Sequence, residues 1–150
     1  MIRSAPQTSN FGLTSIVMLT RDRLPYTELA LSTLAETRGQ TEWILVDTGS
    51  SDRTLAYLEH WRNTAPDKRI VIQSPGSGAA AARNLGWRRA SGDYLAFIDN
   101  DVYLDKADPD WLLSLLALLE RDPQIAAVSP LLLFPGPSDL VQCAGGGISA

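Results

Sequence analysis

Asp99 and Asp101 stand one residue apart at the end of the apolar run Tyr94-Leu95-Ala96-Phe97-Ile98. In a β-strand, positions i and i+2 project to the same side. Both carboxylates would therefore converge on one small volume if strand geometry persists to Asp101. Two like charges that close repel, and a divalent cation stabilises both in their ionised form. A hard cation held by oxygen ligands keeps some waters and takes phosphate oxygens as well. The spacing points to metal-assisted handling of a phosphorylated ligand. Asp-Asn-Asp strings also form turns, because short polar side chains bond their own backbone, so the neighbouring segments must separate the two readings.

A second polar segment precedes that strand. Gly76-Ser77-Gly78-Ala79-Ala80-Ala81 matches the dinucleotide fingerprint G-x-G-x-x-A, and Asp99 ends the following strand, where a ribose-binding acid belongs. An NAD(P)-binding Rossmann domain is thus one reading. Against it, Gln73-Ser74-Pro75 lengthens a turn that pyrophosphate binding keeps tight, and the strand is third in order rather than first. The fingerprint also leaves Asp101 without a role. The plainer alternative is that small residues here allow close helix–sheet packing.

The elements that must position these residues alternate along the chain. Ser15-Ile16-Val17-Met18-Leu19-Thr20 reads as a buried strand closed by Arg21-Asp22-Arg23. Pro25 suits a helix start, with Leu29, Leu31 and Leu34 as its apolar side until Gly39. Trp43-Ile44-Leu45-Val46 is a second strand ending at Asp47-Thr48-Gly49. Ser50 or Ser51 is expected to cap a helix carrying Leu55, Leu58 and Trp61. Arg69-Ile70-Val71-Ile72-Gln73 is a third strand, and a helix opens at Ala79 and ends at Ser91-Gly92. After the Asp99 strand, Pro109 opens a helix with Trp111, Leu112, Leu115, Leu116 and Leu119 on its apolar face. Ala126-Ala127-Val128 and Leu131-Leu132-Leu133-Phe134 are strand candidates separated by Pro130.

Strand–helix alternation with continuous apolar strands predicts an α/β fold on a largely parallel sheet. In such sheets ligands bind beyond the carboxyl ends of the strands. The polar groups lie at those ends, so Thr20 to Asp22, Asp47 to Gly49, Ser74 to Gly78 and Asp99 to Asp101 should form one rim.

At 150 residues the chain fits one domain with a real core. A net charge of −4 supplies no global basic field for nucleic acid or anionic membrane. Cys143, the single cysteine, excludes an intrachain disulfide or a multi-cysteine zinc site and reads as a small buried residue. A reducing compartment is consistent with it. No signal peptide is evident at the N-terminus, and the apolar cluster at 112–119 falls far short of a transmembrane span of roughly twenty residues. His60, among Tyr57, Leu58 and Trp61, reads as a packed or surface residue.

Several ordered blocks resemble the family 2 glycosyltransferases. Gly78-Ala79-Ala80-Ala81-Ala82-Arg83-Asn84-Leu85-Gly86 is similar to their G-x-A-x-A-R-N-x-G helix, and Gly92-Asp93-Tyr94 through Asp99-Asn100-Asp101 to their G-[DE]-Y, strand and D-x-D. Val46-Asp47-Thr48-Gly49-Ser50-Ser51-Asp52 resembles V-D-[DN]-G-S-x-D, and residues 15–23 resemble a first strand usually ending P-T-Y-N-R. Residues 109–112, 122–123 and 127–130 look like the next block in order. The segment 142–147 is similar to an A-G-G-G stretch of rhamnosyltransferase-like members. The resemblance covers 13–148.

It implies a GT-A fold, Rossmann-like and apparently truncated, with residues 1–12 a flexible N-terminus and 13–150 the donor-binding part. It implies a nucleoside-diphosphate sugar held with Mg²⁺ or Mn²⁺, for inverting transfer to an unidentified hydroxyl acceptor in glycan or polysaccharide synthesis. Asp101 would ligate the metal, and Asp99 would face the ribose or sugar, reaching the metal through water. Arg83 would add positive charge near the nucleotide, and Gly78 and Asn100 would join its contacts. Asp47, Thr48 and Thr20 would line the base pocket. Thr48 departs from a commonly acidic position, and Arg21 replaces a common aromatic residue while keeping a guanidinium that could stack on a base. Asn84 would organise the helix and loop. No residue matches the family's catalytic base: Asp139 is the only carboxylate after Asp122, in a different context. A non-catalytic binding or partner module is therefore the alternative. The resemblance further implies a cytoplasmic location, any membrane association coming from the missing part or a partner, and an exposed apolar surface that could drive homodimerisation.

Overall fold

The computed structural model describes residues 11–104, 108–136 and 140–143. Four strands, β1 (Thr14–Thr20), β2 (Thr41–Asp47), β3 (Arg69–Gln73) and β4 (Tyr94–Asp99), form one sheet in the order β3-β2-β1-β4. Every pairing is parallel, as the continuous apolar strands predict. Parallel strands need crossovers, supplied by α1 (Leu24–Leu34), α2 (Thr54–Asn63) and α3 (Ala79–Trp87). A fourth helix, α4 (Trp111–Arg121), follows β4.

Strand alternation divides the core into two layers. Ile16, Met18, Trp43 and Leu45 face α1 and α2, where they meet Ala30, Leu31, Leu34, Leu58 and Trp61. Val17, Ile44 and Val46 face the other way, against Ala82 of α3. Only a helix of small residues can lie that close to the sheet. A Cβ at Gly86 would collide with Val17 Cγ1, so glycine there sets the depth at which α3 seats. Trp111 Nε1 donates to Thr37 Oγ1 at 2.8 Å and Arg38 N to the Pro109 carbonyl at 2.8 Å, tying the start of α4 to the end of α1.

Three local expectations need correction. Neither Ser50 nor Ser51 caps α2, which begins at Thr54 after Arg53; both serines are drawn into contacts with neighbouring loops. β4 is an edge strand rather than a buried one: Leu95 and Phe97 are 37% and 49% exposed. Residues 126–128 form no strand, and of the next candidate only β5 (Leu132–Leu133) does, pairing antiparallel with β6 (Val141–Cys143). Pro130 lacks the N–H that a longer ladder would use. Cys143 is half-buried on β6, and His60 is exposed. Most of the expected flexible segment 1–12, the 144–147 glycine stretch and Asp139 lie outside the described residues. Among the described residues, no helix is long and apolar enough to cross a membrane.

Candidate functional site

Sheet order reverses between β1 and β4, and in open parallel sheets the crevice at such a switch point is where ligands bind. A cavity of about 540 Å³ lies there, at the carboxyl ends of β1, β2 and β4 and the start of α3. Thr20, Arg21, Thr48, Gly78, Arg83, Asp99, Asn100 and Asp101 all line it. Arg23 and Ser77 join them, so three arginines face two aspartates and the lining carries an excess of positive charge.

The pleat does not bring the two carboxylates together. β4 ends at Asp99, and the Val102 N–H closes a turn on the Asp99 carbonyl at 3.2 Å, so Asp101 reaches the cavity from that turn. The three residues then diverge. Asp99 points to the α3 side, where Arg83 Nη2 donates to its Oδ1 at 2.8 Å. Asn100 points to the α1 side and donates to Thr27 Oγ1 at 2.9 Å. Asp101 Oδ2 lies 3.6 Å from Arg23 Nη1. Thr20 Oγ1 and Thr27 Oγ1 share a buried contact at 3.3 Å beneath Asn100.

Asp47 is the one proposed site residue set back from the lining. It is 2% exposed, and its carboxylate accepts from Gly49 N at 3.1 Å, Ser50 N at 3.0 Å and Ser50 Oγ. It shapes the β2–α2 turn from behind, leaving Thr48 to face the cavity. Thr48 Oγ1 donates to the Thr20 carbonyl at 3.3 Å, joining the two strand exits.

A clasp between the β1–α1 and β2–α2 loops forms the adjoining wall. Asp22 Oδ1 accepts from Ser51 N at 2.6 Å, Ser51 Oγ at 3.1 Å and Asp52 N at 3.3 Å, while Asp22 N donates to Ser50 Oγ at 2.8 Å. Asp52 receives Thr54 N at 2.8 Å and Leu24 N at 3.2 Å. The Ser51 N–H holds the Asp22 carboxyl below the ordinary aspartate range, and bonds from Thr54 do the same for Asp52. Asp22 and Arg23 adopt φ of 55° and 60°, left-handed values uncommon outside glycine. The sequence signals for Arg23 were the charge run closing β1 and the R that ends the similar P-T-Y-N-R segment; the clasp's cross-loop partners lie some thirty residues on.

The residues present suit a hard divalent cation. Mg²⁺ and Mn²⁺ sites of this kind use one or two carboxylates and complete their shell with water and substrate phosphates. Asp99 and Asp101, both in the cavity lining, supply two such carboxylates with side chains 57% and 50% exposed, and a third acidic, histidine or cysteine ligand is absent among the described residues.

A parallel sheet with helices on both faces and a polar cavity at its switch point defines an α/β ligand-binding domain. The chain belongs to glycosyl transferase family 2, whose model matches residues 15–139. A glycosyltransferase of Haemophilus influenzae is 31% identical over 96 residues, covering 63% of this chain and 38% of its own. The poly(ribitol-phosphate) β-N-acetylglucosaminyltransferase TarS of Staphylococcus aureus is 28% identical over 95 residues, covering 61% of this chain and 17% of its own. Among solved structures, the mannosyltransferase PcManGT of Pyrobaculum calidifontis, in complex with GDP-Man and Mn²⁺, superposes with a TM-score of 0.70 at 24% identity, over 82% of this chain and 36% of that one. TarS residues 1–349 in complex with UDP superpose with a TM-score of 0.61 at 26% identity, over 72% of this chain and 32% of that one. The fold is thus part of the GT-A fold, and the chain spans well under half the length of these relatives.

Proposed function

We propose that this chain is the donor-binding part of a glycosyltransferase, holding a nucleoside-diphosphate sugar with Mg²⁺ or Mn²⁺ in the switch-point cavity. The observation that carries the reading is that Asp99, Asp101 and Arg83 line the same cavity as Thr20, Thr48 and Gly78. GDP-Man with Mn²⁺ in one structural relative and UDP in another support the ligand class. Asp101 is the metal ligand and Asp99 faces the ribose or sugar. Arg83 and the start of α3 supply positive charge for the diphosphate. Thr20 and Thr48 edge the base pocket, Arg21 stacks on the base, and Asn100 holds the floor between them. Asp47 acts through the turn it organises.

The metal, when bound, supplies Lewis-acid neutralisation of charge building on the departing nucleoside diphosphate. In the whole protein the reaction is inverting transfer to a hydroxyl acceptor in glycan or polysaccharide synthesis, in the cytoplasm. The activating base is assigned to no described residue. The rhamnosyltransferase-like trait rests on the 142–147 segment alone.

Calorimetry with UDP, GDP and dTDP, with and without Mn²⁺, tests the reading. One nucleotide should bind in a Mn²⁺-dependent manner, and Asp101→Ala should remove the dependence. Binding that ignores both Mn²⁺ and Asp101→Ala overturns the metal–diphosphate assignment.

A further inference from the structure

We infer that Arg23 is an exchange residue: it holds Asp101 when the cavity is empty and moves to the diphosphate when a divalent cation takes Asp101. This rests on the donor-binding reading and adds to it a residue and a coupling between two ligands.

The two carboxylates of the cavity have arginine partners of different quality. Arg83 meets Asp99 at 2.8 Å, whereas Arg23 meets Asp101 at 3.6 Å through one nitrogen, with side chains 64% and 50% exposed. A long, single, solvated contact is weak and easily exchanged. The backbone beneath Arg23 is, by contrast, firmly held. Asp22 and Arg23 occupy consecutive left-handed conformations, and the surrounding hydrogen bonds to Ser50, Ser51 and Asp52 fix that turn. Such conformations persist only where neighbouring contacts over-determine them, and they concentrate at functional positions. Here the fixed turn places an exposed guanidinium in the cavity wall.

Charge completes the case. A cation on Asp101 leaves the guanidinium without its carboxylate and beside a like charge, so metal alone binds poorly. A diphosphate reverses this, because it accepts from the freed guanidinium and neutralises both cations. Each ligand then favours the other, and linkage makes the effect reciprocal.

The test measures Mn²⁺ alone by the electron paramagnetic resonance of free Mn²⁺, and GDP and UDP by calorimetry with and without Mn²⁺. Wild type, Arg23→Gln, Arg23→Lys and Asp101→Asn are compared, with thermal unfolding as the check on folding. Arg23→Gln should bind Mn²⁺ alone about two- to fivefold more tightly, the worth of an exposed ion pair. It should bind nucleotide with Mn²⁺ about ten- to a hundredfold more weakly, the loss of a charged hydrogen bond. Arg23→Lys should recover part of the coupling, and in an Asp101→Asn background Arg23→Gln should no longer change Mn²⁺ affinity. If wild type binds nucleotide with Mn²⁺ while Arg23→Gln changes neither affinity, the exchange is overturned and the donor site stands. If wild type binds no nucleotide diphosphate, the donor reading falls and the exchange with it, since Arg23 has nowhere to move.

Discussion

Gly86→Ala offers a direct test of how α3 brings Arg83 to the cavity. Glycine inside a helix is normally a liability, and replacing it with alanine should stabilise by about 1 kcal/mol. At this position the new methyl would strike Val17 Cγ1, with Val17 Cβ and Cγ2 next nearest at 3.4 Å each. Val17 is 1% exposed and packs among Ile44, Val46 and Ala82, and its β-branched side chain has few rotamers to retreat into. Overpacking of this kind costs about 1–3 kcal/mol, so the substitution should destabilise by about 0–2 kcal/mol despite its better propensity. Val17→Ala alone should cost about 2–3 kcal/mol through lost burial and the cavity left behind. Combined, the two changes fit each other: the methyl at 86 enters the space vacated at 17. The double variant should therefore be more stable than Val17→Ala by about 1 kcal/mol, the propensity gain no longer being cancelled. Urea unfolding measures all three, with an unchanged m-value confirming that stability alone has moved. Nucleotide affinity should fall in Gly86→Ala, because Arg83 sits one turn earlier on the displaced helix, and recover in the double variant. A Gly86→Ala protein stabilised by the full propensity gain, or additivity in the double variant within about 0.5 kcal/mol, would refute the seating of α3 on Val17.

Further outcomes follow from the cavity and its walls. Arg83→Ala removes a part-exposed ion pair, so stability should drop by no more than about 1 kcal/mol, while calorimetric affinity for nucleotide with Mn²⁺ should fall about ten- to a hundredfold; an affinity unchanged by the substitution would make Arg83 a surface residue. Asp47→Ala should act first on folding, costing about 2–3 kcal/mol in urea unfolding as Gly49 N and Ser50 N lose their acceptor. Wild-type stability with lost nucleotide binding would return Asp47 to the base pocket. The loop clasp carries a defined pH signature. Both Asp22 and Asp52 have lowered folded pKa values, so their stabilisation is present in full above the unfolded value near 3.9 and is lost as pH falls through the folded values. Carboxyl ¹³C titration by NMR should place both midpoints below those of the same residues in the unfolded chain, and a midpoint at or above the unfolded one for either would contradict the hydrogen bonds assigned to them.

The cavity was legible in the sequence to the extent that topology alone determines it. Continuous apolar strands separated by helical segments require a parallel sheet, and a parallel sheet places every strand exit on one rim. Thr20, Thr48, Gly78 and Asp99 could thus be grouped from their positions at strand or helix ends, and Arg83 from the resemblance of its helix to the family motif; all of them line one cavity. What position alone leaves open is how polar groups at the rim are committed to one another. Asp47 and Asp99 are both strand-end aspartates, yet one is turned into its own loop and the other faces Arg83. Asp22 reads locally as one charge in a run of three, and its role depends on Ser51, which adjoins it only because β1 and β2 pair in register. The D-x-D spacing carried a similar ambiguity, since the turn that ends β4, rather than the pleat, determines where Asp101 goes. Edge status is likewise a property of sheet order: Leu95 and Phe97 belong to as apolar a segment as Ile44 and Val46, but β2 has strands on both sides and β4 on one. Apolar periodicity therefore identifies where a site can be, and the pairing of charges across loops determines which of its residues remain available to a ligand. On that criterion the loosely held Asp101, more than the tightly paired Asp99, is the carboxylate this cavity can offer.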